Sequence, residues 1–257
     1  CSMSLPTPYY DEGGITIYHA DCRDILPHLP TNTIKLAITS PPYNMRTRIR
    51  NGKYTERERS EHFSKKYAQF PDALPIQEYY EFHKDVVRQL LLITNLIFIN
   101  IQIVTGSKEA WFRIIGDYSE TIKDVIVWDK GHGQPAMHDA VINRASELIL
   151  ALESPKTSGR AFSNSCFKRG TMQDVWRFNS IESYSGEGHA ATFPLGLPAK
   201  IIRGWGGKYS HVIDPFCGTG TTLLAAKRSY CFATGIEIEE KYCEIAVRRL
   251  AQEVLPL

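Results

Sequence analysis

Paired cysteines, zinc-type ligand ladders, long apolar runs and a strong charge bias are all missing from this chain. Its six cysteines (Cys1, Cys22, Cys166, Cys217, Cys231, Cys243) form no CxxC pair, so free thiols in a reducing compartment are expected. The segment GHGQPAMH (131–138) offers His132 and His138, but no HExxH and no nearby cysteine pair completes a metal set, and a loop is the expected reading. The longest apolar run, QLLLITNLIFINIQIV (89–104), is broken by Thr94, Asn95, Asn100 and Gln102, so it reads as a helix end followed by a strand, not as a membrane span. The opening CSMSLPTPYY shows neither the charged start nor the apolar stretch of a secretory leader, and a cytoplasmic location is the expectation. A net charge of +2 gives no general electrostatic signature of a nucleic-acid partner.

What is present is an ordinary globular composition. The chain has 257 residues, 43% hydrophobic and 23% charged, which suits one large domain better than two small ones. Strand-like runs at 15–21, 34–40, 95–102, 121–130, 146–153, 211–217 and 232–238 are interspersed with helical patterns at 76–93, 221–229 and 239–254. In the first helix Tyr79, Phe82, Val86, Leu90 and Ile93 recur at three- and four-residue steps. The expected fold is α/β, Rossmann-like, with a mostly parallel sheet and helices on both faces. Trp111, Trp128 and Trp205 read as core aromatics.

Two stretches interrupt the alternation. Residues 44–75 are polar and basic, and residues 154–190 are rich in serine, glycine and aromatics. Loops of this length in a compact domain are usually functional or disordered.

The segment VIDPFCGTGTTLLAAKR places Asp214 at a strand end, then Gly218, Thr219 and Gly220, then a helix. Glycines permit positive φ and close backbone approach at a helix start rich in unpaired N–H groups. The third glycine of a dinucleotide fingerprint and the lysine of a phosphate loop are both absent, which favours a cofactor without pyrophosphate. Glu237, at the end of the next strand, is placed to accept hydrogen bonds from ribose hydroxyls. Cys217 inside the turn reads as a small packing residue.

The segment LAITSPPYNMR (36–46) ends a strand with two prolines. Prolines fix φ, remove N–H donors and hold the preceding residue extended. The Ser40 side chain and the Pro41 carbonyl are then two acceptors suited to an NH₂ group, and Tyr43 offers a ring for stacking a heterocycle.

TSPPYN (39–44) together with DPFCGTGTT (214–222) resembles the β class of amino-methylating DNA methyltransferases, and the resemblance extends over nearly the whole chain. It implies S-adenosylmethionine as cofactor and a catalytic segment of Ser40, Pro41, Pro42 and Tyr43. The glycine turn would then contribute Asp214, Phe216, Gly218, Thr219, Gly220 and Thr221 to cofactor binding, with Glu237 beyond it. HADCRDIL (19–26) is similar to the segment whose acid contacts the cofactor adenine, which implicates Asp21, with Asp24 second. ATFPLGLPAKII (191–202) resembles the Phe-Pro motif beside the methionine end of the cofactor, through Phe193 and Pro194. DVWRF (174–178) is similar to a segment near the family's recognition region.

The implied chemistry is direct methyl transfer to the exocyclic amine of a flipped base, without a covalent enzyme intermediate. Serine in the first motif position is more often associated with cytosine N4, so that target is expected, with adenine N6 the alternative. RNA or protein-glutamine methylation and a catalytically silent binding protein are further alternatives. DNA contacts are expected from Arg46, Arg48, Arg50 and Lys53 in a basic flap at 44–75, although its glutamates also fit a solvated flap or a dimer contact. Arg160, Lys168 and Arg169 are expected in a small target-recognition region at 154–190. The partners implied are double-stranded DNA, a restriction endonuclease and a second copy of the chain, with no membrane.

Overall fold

β-Branched runs between amphipathic segments assemble into one large sheet. The computed structural model describes residues 5–44, 49–50, 53–54, 74–133, 139–156, 159–178 and 193–251, with backbone alone at 49–50 and 53–54. Its strands are β1 (Tyr10–Glu12), β2 (Ile15–His19), β3 (Ile34–Thr39), β4 (Ile49–Arg50), β5 (Lys53–Tyr54), β6 (Thr94–Ile101), β7 (Ile122–Asp129), β8 (Ser146–Glu153), β9 (Val175–Arg177), β10 (His211–Asp214) and β11 (Phe232–Glu237). The helices are α1 (Cys22–Ile25), α2 (Ile76–Ile93), α3 (Lys108–Asp117), α4 (Gly196–Ile201), α5 (Thr221–Arg228) and α6 (Glu240–Ala251). Nine strands pair in the order β1-β2-β11-β10-β3-β6-β8-β7-β9, and β4 and β5 form a separate hairpin. Within the large sheet only β1 and β8 run against the rest.

Alternation along each strand supplies both faces. Leu36 and Ile38 of β3 enter one core with Phe98 and Trp205, while Ala37 enters the other with Ile97, Ile99 and Trp111. A strand covered on both faces must be apolar throughout, and each fully buried Leu or Ile contributes about 1.5–3 kcal/mol. Trp111, Trp128 and Trp205 are buried in these cores as expected.

The chain order fixes where a ligand can enter. From β10 the chain crosses through α5 to β11 on one side, whereas β3 crosses through α2 to β6 on the other. The boundary between β10 and β3 is therefore a topological switch point, where connections leave in opposite directions and open a crevice at the carboxyl ends of the strands.

Three details differ from the sequence pattern. Helix α3 was not anticipated, although Ala110, Trp111 and Ile114 share its buried face. Phe82 is only partly buried and leaves the apolar stripe of α2 to face the crevice, and His83 takes the interior place beside it. DVWRF contains a short edge strand that was not anticipated: Trp176 of β9 is 1% exposed and pairs in register with Trp128, while Val175 and Arg177 are exposed.

Close packing makes Gly235 of β11 sensitive. A Cβ there would lie 2.7 Å from Leu223 Cδ1 and 2.8 Å from Cys217 Sγ. Gly235→Ala is expected to cost about 1–3 kcal/mol and to lower Tm by roughly 2–4 °C per kcal/mol, measured by thermal unfolding. An unchanged Tm would show that β11 does not pack against α5 this closely.

Candidate active site

The carboxyl ends of β10 and β3 are tied by one buried carboxylate. Asp214 closes β10 and is 2% exposed. Thr39 Oγ1, the last residue of β3, donates to Asp214 Oδ1 at 2.7 Å. Thr222 Oγ1 in α5 donates to Oδ2 at 2.6 Å, and the Phe216 amide donates to Oδ1 at 3.1 Å. Burial pushes the Asp214 carboxyl up to about 6, against the opposing pull of these donors.

The turn after β10 is shaped by glycine. Gly218 and Gly220 have φ of +50° and +78°. A Cβ on Gly220 would sit 2.9 Å from Ala246 Cβ, so α6 packs directly against this bend. Arg249 of α6 braces the turn from behind, its Nη1 donating to the Thr219 carbonyl at 2.5 Å and to Thr219 Oγ1 at 3.0 Å. Glu237 at the end of β11 accepts from the Gly218 amide at 2.9 Å and from the Glu239 amide at 2.9 Å. Burial raises the Glu237 carboxyl to about 7, with the charges of Glu239 and Asp214 adding to the rise and the two amides opposing it.

Asp21 sits between β2 and α1, where it caps the helix by accepting from the Arg23 amide at 2.9 Å. Burial acts to raise its carboxyl, but the Arg23 hydrogen bonds outweigh that and hold it below the usual carboxylate range. The Arg23 guanidinium in turn lies 5.0 Å from the centre of the Phe82 ring.

On the β3 side the chain leaves the sheet at Thr39 and continues extended through the prolines. Tyr79 Oη donates to the Pro42 carbonyl at 2.6 Å, and Trp111 Nε1 donates to Tyr79 Oη at 3.2 Å, so α2 and α3 anchor this segment. It is the Pro42 carbonyl, not that of Pro41, which Tyr79 holds. Asn44 takes φ +50° and donates through Nδ2 to the Leu74 and Gly106 carbonyls, ending the extended run. Ser40 Oγ lies 3.1 Å from Tyr43 Oη, and Tyr43 Oη donates to Glu147 Oε2 at 2.9 Å.

These segments line one cleft of about 790 Å³ that opens to solvent. Ser40, Pro42, Phe193, Asp214, Gly218 and Glu237 all contribute to its walls, and so do Asp21, Phe216, Thr219 and Thr221. Among the described residues no lysine or arginine lines it. A carboxylate at a strand end and the aromatic Phe82 and Phe216 fit an adenosine-type group.

Other expected residues fall elsewhere. Arg46 and Arg48 lie outside the described residues, as do 179–190 of the expected recognition region, and the side chains of Arg50 and Lys53 are not described. Arg160 lies near Lys123 and Glu153, at the sheet edge opposite Ser40, with Asp124 3.6 Å away. Lys168 and Arg169 are exposed on a loop whose Phe162 and Phe167 pack on Trp205. Sequence patterning missed Thr39, Arg249, Asn100 and Glu147, because each acts on a partner distant in the chain, and it missed Thr222, whose partner Asp214 lies eight residues away across the glycine turn.

A crevice at the switch point is the usual ligand site of an open α/β sheet, and solved structures share this fold. The fold superposes on a PvuII DNA methyltransferase (cytosine-N4-specific) with a TM-score of 0.73 at 16% identity, covering 96% of this chain and 90% of that one. It also matches M1.HpyAVI in complex with SAM, with a TM-score of 0.62 at 21% identity, over 92% and 99% of the two chains. The chain belongs to the N6/N4 methyltransferase family, described as DNA methylase, whose profile matches residues 34–248. Its relatives include the Type II methyltransferase M.ScaI of Streptomyces caespitosus, 26% identical over 99% of this chain and 87% of that protein. Another is M.HinfI of Haemophilus influenzae, 27% identical over 94% and 69%. Among the described residues no helix is long and apolar enough to cross a membrane.

The two raised carboxyls make stability depend on pH. A carboxyl raised by folding holds its proton more tightly in the folded than in the unfolded chain. Its contribution is therefore fully present below the unfolded value of about 4 and is lost as pH rises through about 6 for Asp214 and about 7 for Glu237. The Tm of Glu237→Gln relative to wild type is expected to rise between pH 5 and pH 8, followed by calorimetry. A difference that stays constant over this range would contradict the raised carboxyl.

Proposed function

We propose that this DNA methyltransferase uses Ser40, Pro41, Pro42 and Tyr43 to hold the exocyclic amine of a flipped base, and the glycine turn with Glu237 to hold S-adenosylmethionine. The observation that carries this reading is the Thr39–Asp214 hydrogen bond of 2.7 Å, which joins two segments 175 residues apart so that Ser40 and Gly218 line the same cleft.

When bound, the cofactor supplies a sulfonium methyl group. Phe82 and Phe216 offer faces for its adenine, and Glu237 retains lone pairs for the ribose hydroxyls. Asp21, Phe193, Pro194, Thr219, Gly220 and Thr221 complete this half of the site. Asp214 serves it differently: its oxygens already accept three hydrogen bonds from the chain, so its role is to hold the turn in shape.

The amine nitrogen of a nucleobase is a poor nucleophile because its lone pair is delocalised into the ring. Ser40 Oγ and the Pro41 carbonyl accept its N–H groups and draw the lone pair out of the ring; once the nitrogen has taken the methyl group it is cationic, and it loses one of its own two protons to solvent. The Tyr43 ring stacks on the base. Catalysis then rests on positioning and fixed dipoles.

Double-stranded DNA is the proposed substrate, with Arg46, Arg48, Arg50 and Lys53 neutralising phosphates beside the catalytic segment. Arg160, at the far edge beside Asp124, is assigned to the fold instead. Lys168 and Arg169 are kept as phosphate contacts of a long or bent site. A cognate endonuclease is proposed from the Type II designation of the relatives, and a homodimer is the proposed means of reading a symmetric site.

Cytosine N4 is the proposed target because Ser40 occupies the first motif position. Transfer of labelled methyl to DNA, RNA and protein, followed by nucleoside digestion, tests both levels. N4-methylcytosine in DNA is expected. N6-methyladenine would overturn the choice of base, and labelled RNA or protein without labelled DNA would overturn the substrate.

A further inference from the structure

On the side of Ser40 away from β10, four strands bring together a run of buried polar groups. Glu147 at the start of β8 accepts from Tyr43 Oη at 2.9 Å and from Asn100 Nδ2 at 2.6 Å through Oε2, and from Lys130 Nζ at 2.8 Å through Oε1. The Glu147 side chain is 7% exposed and that of Lys130 is 15%. Asn100, at the end of β6, is 2% exposed. Its Nδ2 also lies 3.3 Å from Tyr43 Oη and 3.4 Å from Ser40 Oγ. A carboxylate placed here at the solvent-poor end of a central strand is costly unless each oxygen is satisfied, and here each is.

The direction of hydrogen bonding follows from proton counting. Glu147, paired with an ammonium, is acceptor only, so Tyr43 spends its single hydroxyl proton on Oε2. The Tyr43 oxygen can then only accept across the 3.1 Å contact, and the Ser40 hydroxyl proton must point toward Tyr43. Ser40 is left with lone pairs toward the cleft. Were Tyr43 to donate to Ser40 instead, the Ser40 proton would be free to point at the incoming N–H, donor against donor. The same carboxylate orients Asn100, because a flipped amide would place its oxygen 2.6 Å from Oε2.

We propose that Glu147 is a positioning residue that acts through the Tyr43 hydroxyl to keep Ser40 an acceptor toward the target amine. This rests on the assignment of Ser40 as the acceptor of that amine. Glu147 does not touch the base or the cofactor in this scheme. Its effect belongs to the methyl-transfer step and not to binding.

The test is a double-mutant cycle of Glu147→Gln and Tyr43→Phe, which keeps the stacking ring, read by single-turnover methyl transfer with cofactor and DNA affinities measured alongside. Each single variant is expected to slow transfer by roughly 10- to 100-fold while both affinities stay within about 3-fold of wild type. The double variant is expected to be no more than about 3-fold slower than Tyr43→Phe alone, because both remove the same relay. Multiplying losses, or an unchanged rate in Glu147→Gln, would overturn the proposal. Should Lys130 beside a neutral amide unfold Glu147→Gln, the pair Lys130→Met with Glu147→Leu removes both charges and the acceptor for Tyr43, and carries the same expectation. Ser40→Ala separates the two levels: full activity there would overturn the acceptor assignment itself, whereas an inactive Ser40→Ala with multiplying losses overturns only the role of Glu147.

Discussion

The site depends on a single buried carboxylate with donors from two distant parts of the chain. Asp214 could not remain in the core without Thr39, Thr222 and the Phe216 amide, and those same donors fix β3, β10 and the start of α5 relative to one another. An unpaired carboxylate in that position would cost several kcal/mol. The hydrogen bonds that offset this cost also set the distance between the proline segment and the glycine turn. Catalytic geometry and fold stability therefore share one set of atoms, and residues that touch no ligand hold the cleft open.

Around that tie the cleft has two chemically distinct halves. The glycine turn, braced by Arg249 and capped by Glu237, carries buried carboxyls and, among the described residues, no lining cation. The other half ends in the contacts that join Ser40, Tyr43 and Glu147. Burial governs both halves: it raises the Asp214 and Glu237 carboxyls, and it makes the orientation of the Asn100 amide matter. Buried polar groups recur along this end of the sheet, at Glu237, Asp214, Thr39, Asn100 and Glu147.

Much of this was legible in the residues because local chemistry announces itself. Proline pairs, glycine turns and apolar alternation act on their own neighbourhood, so β3, β10, α5, β11 and the segment at Ser40 could be read without a structure. Glu147 is a polar residue near the start of a strand, and Thr39 is the strand residue just before Ser40. Their roles come from partners 104 and 175 residues away, which local pattern does not encode. Trp176 was hidden for a related reason, since the residues that cover it, Trp205 and Lys200, lie more than twenty residues further along the chain.

The most direct measurement is the cofactor affinity of Thr39→Val, by calorimetric titration. The substitution keeps the side-chain shape and removes only the hydroxyl that binds Asp214, on a strand that carries none of the glycine turn. If the carboxylate tie shapes the turn, S-adenosylmethionine should bind about 5- to 10-fold more weakly, in line with the ~1 kcal/mol value of one hydrogen bond. Wild-type affinity would show that the turn keeps its shape without β3, and that the two halves of the cleft are not coupled through Asp214.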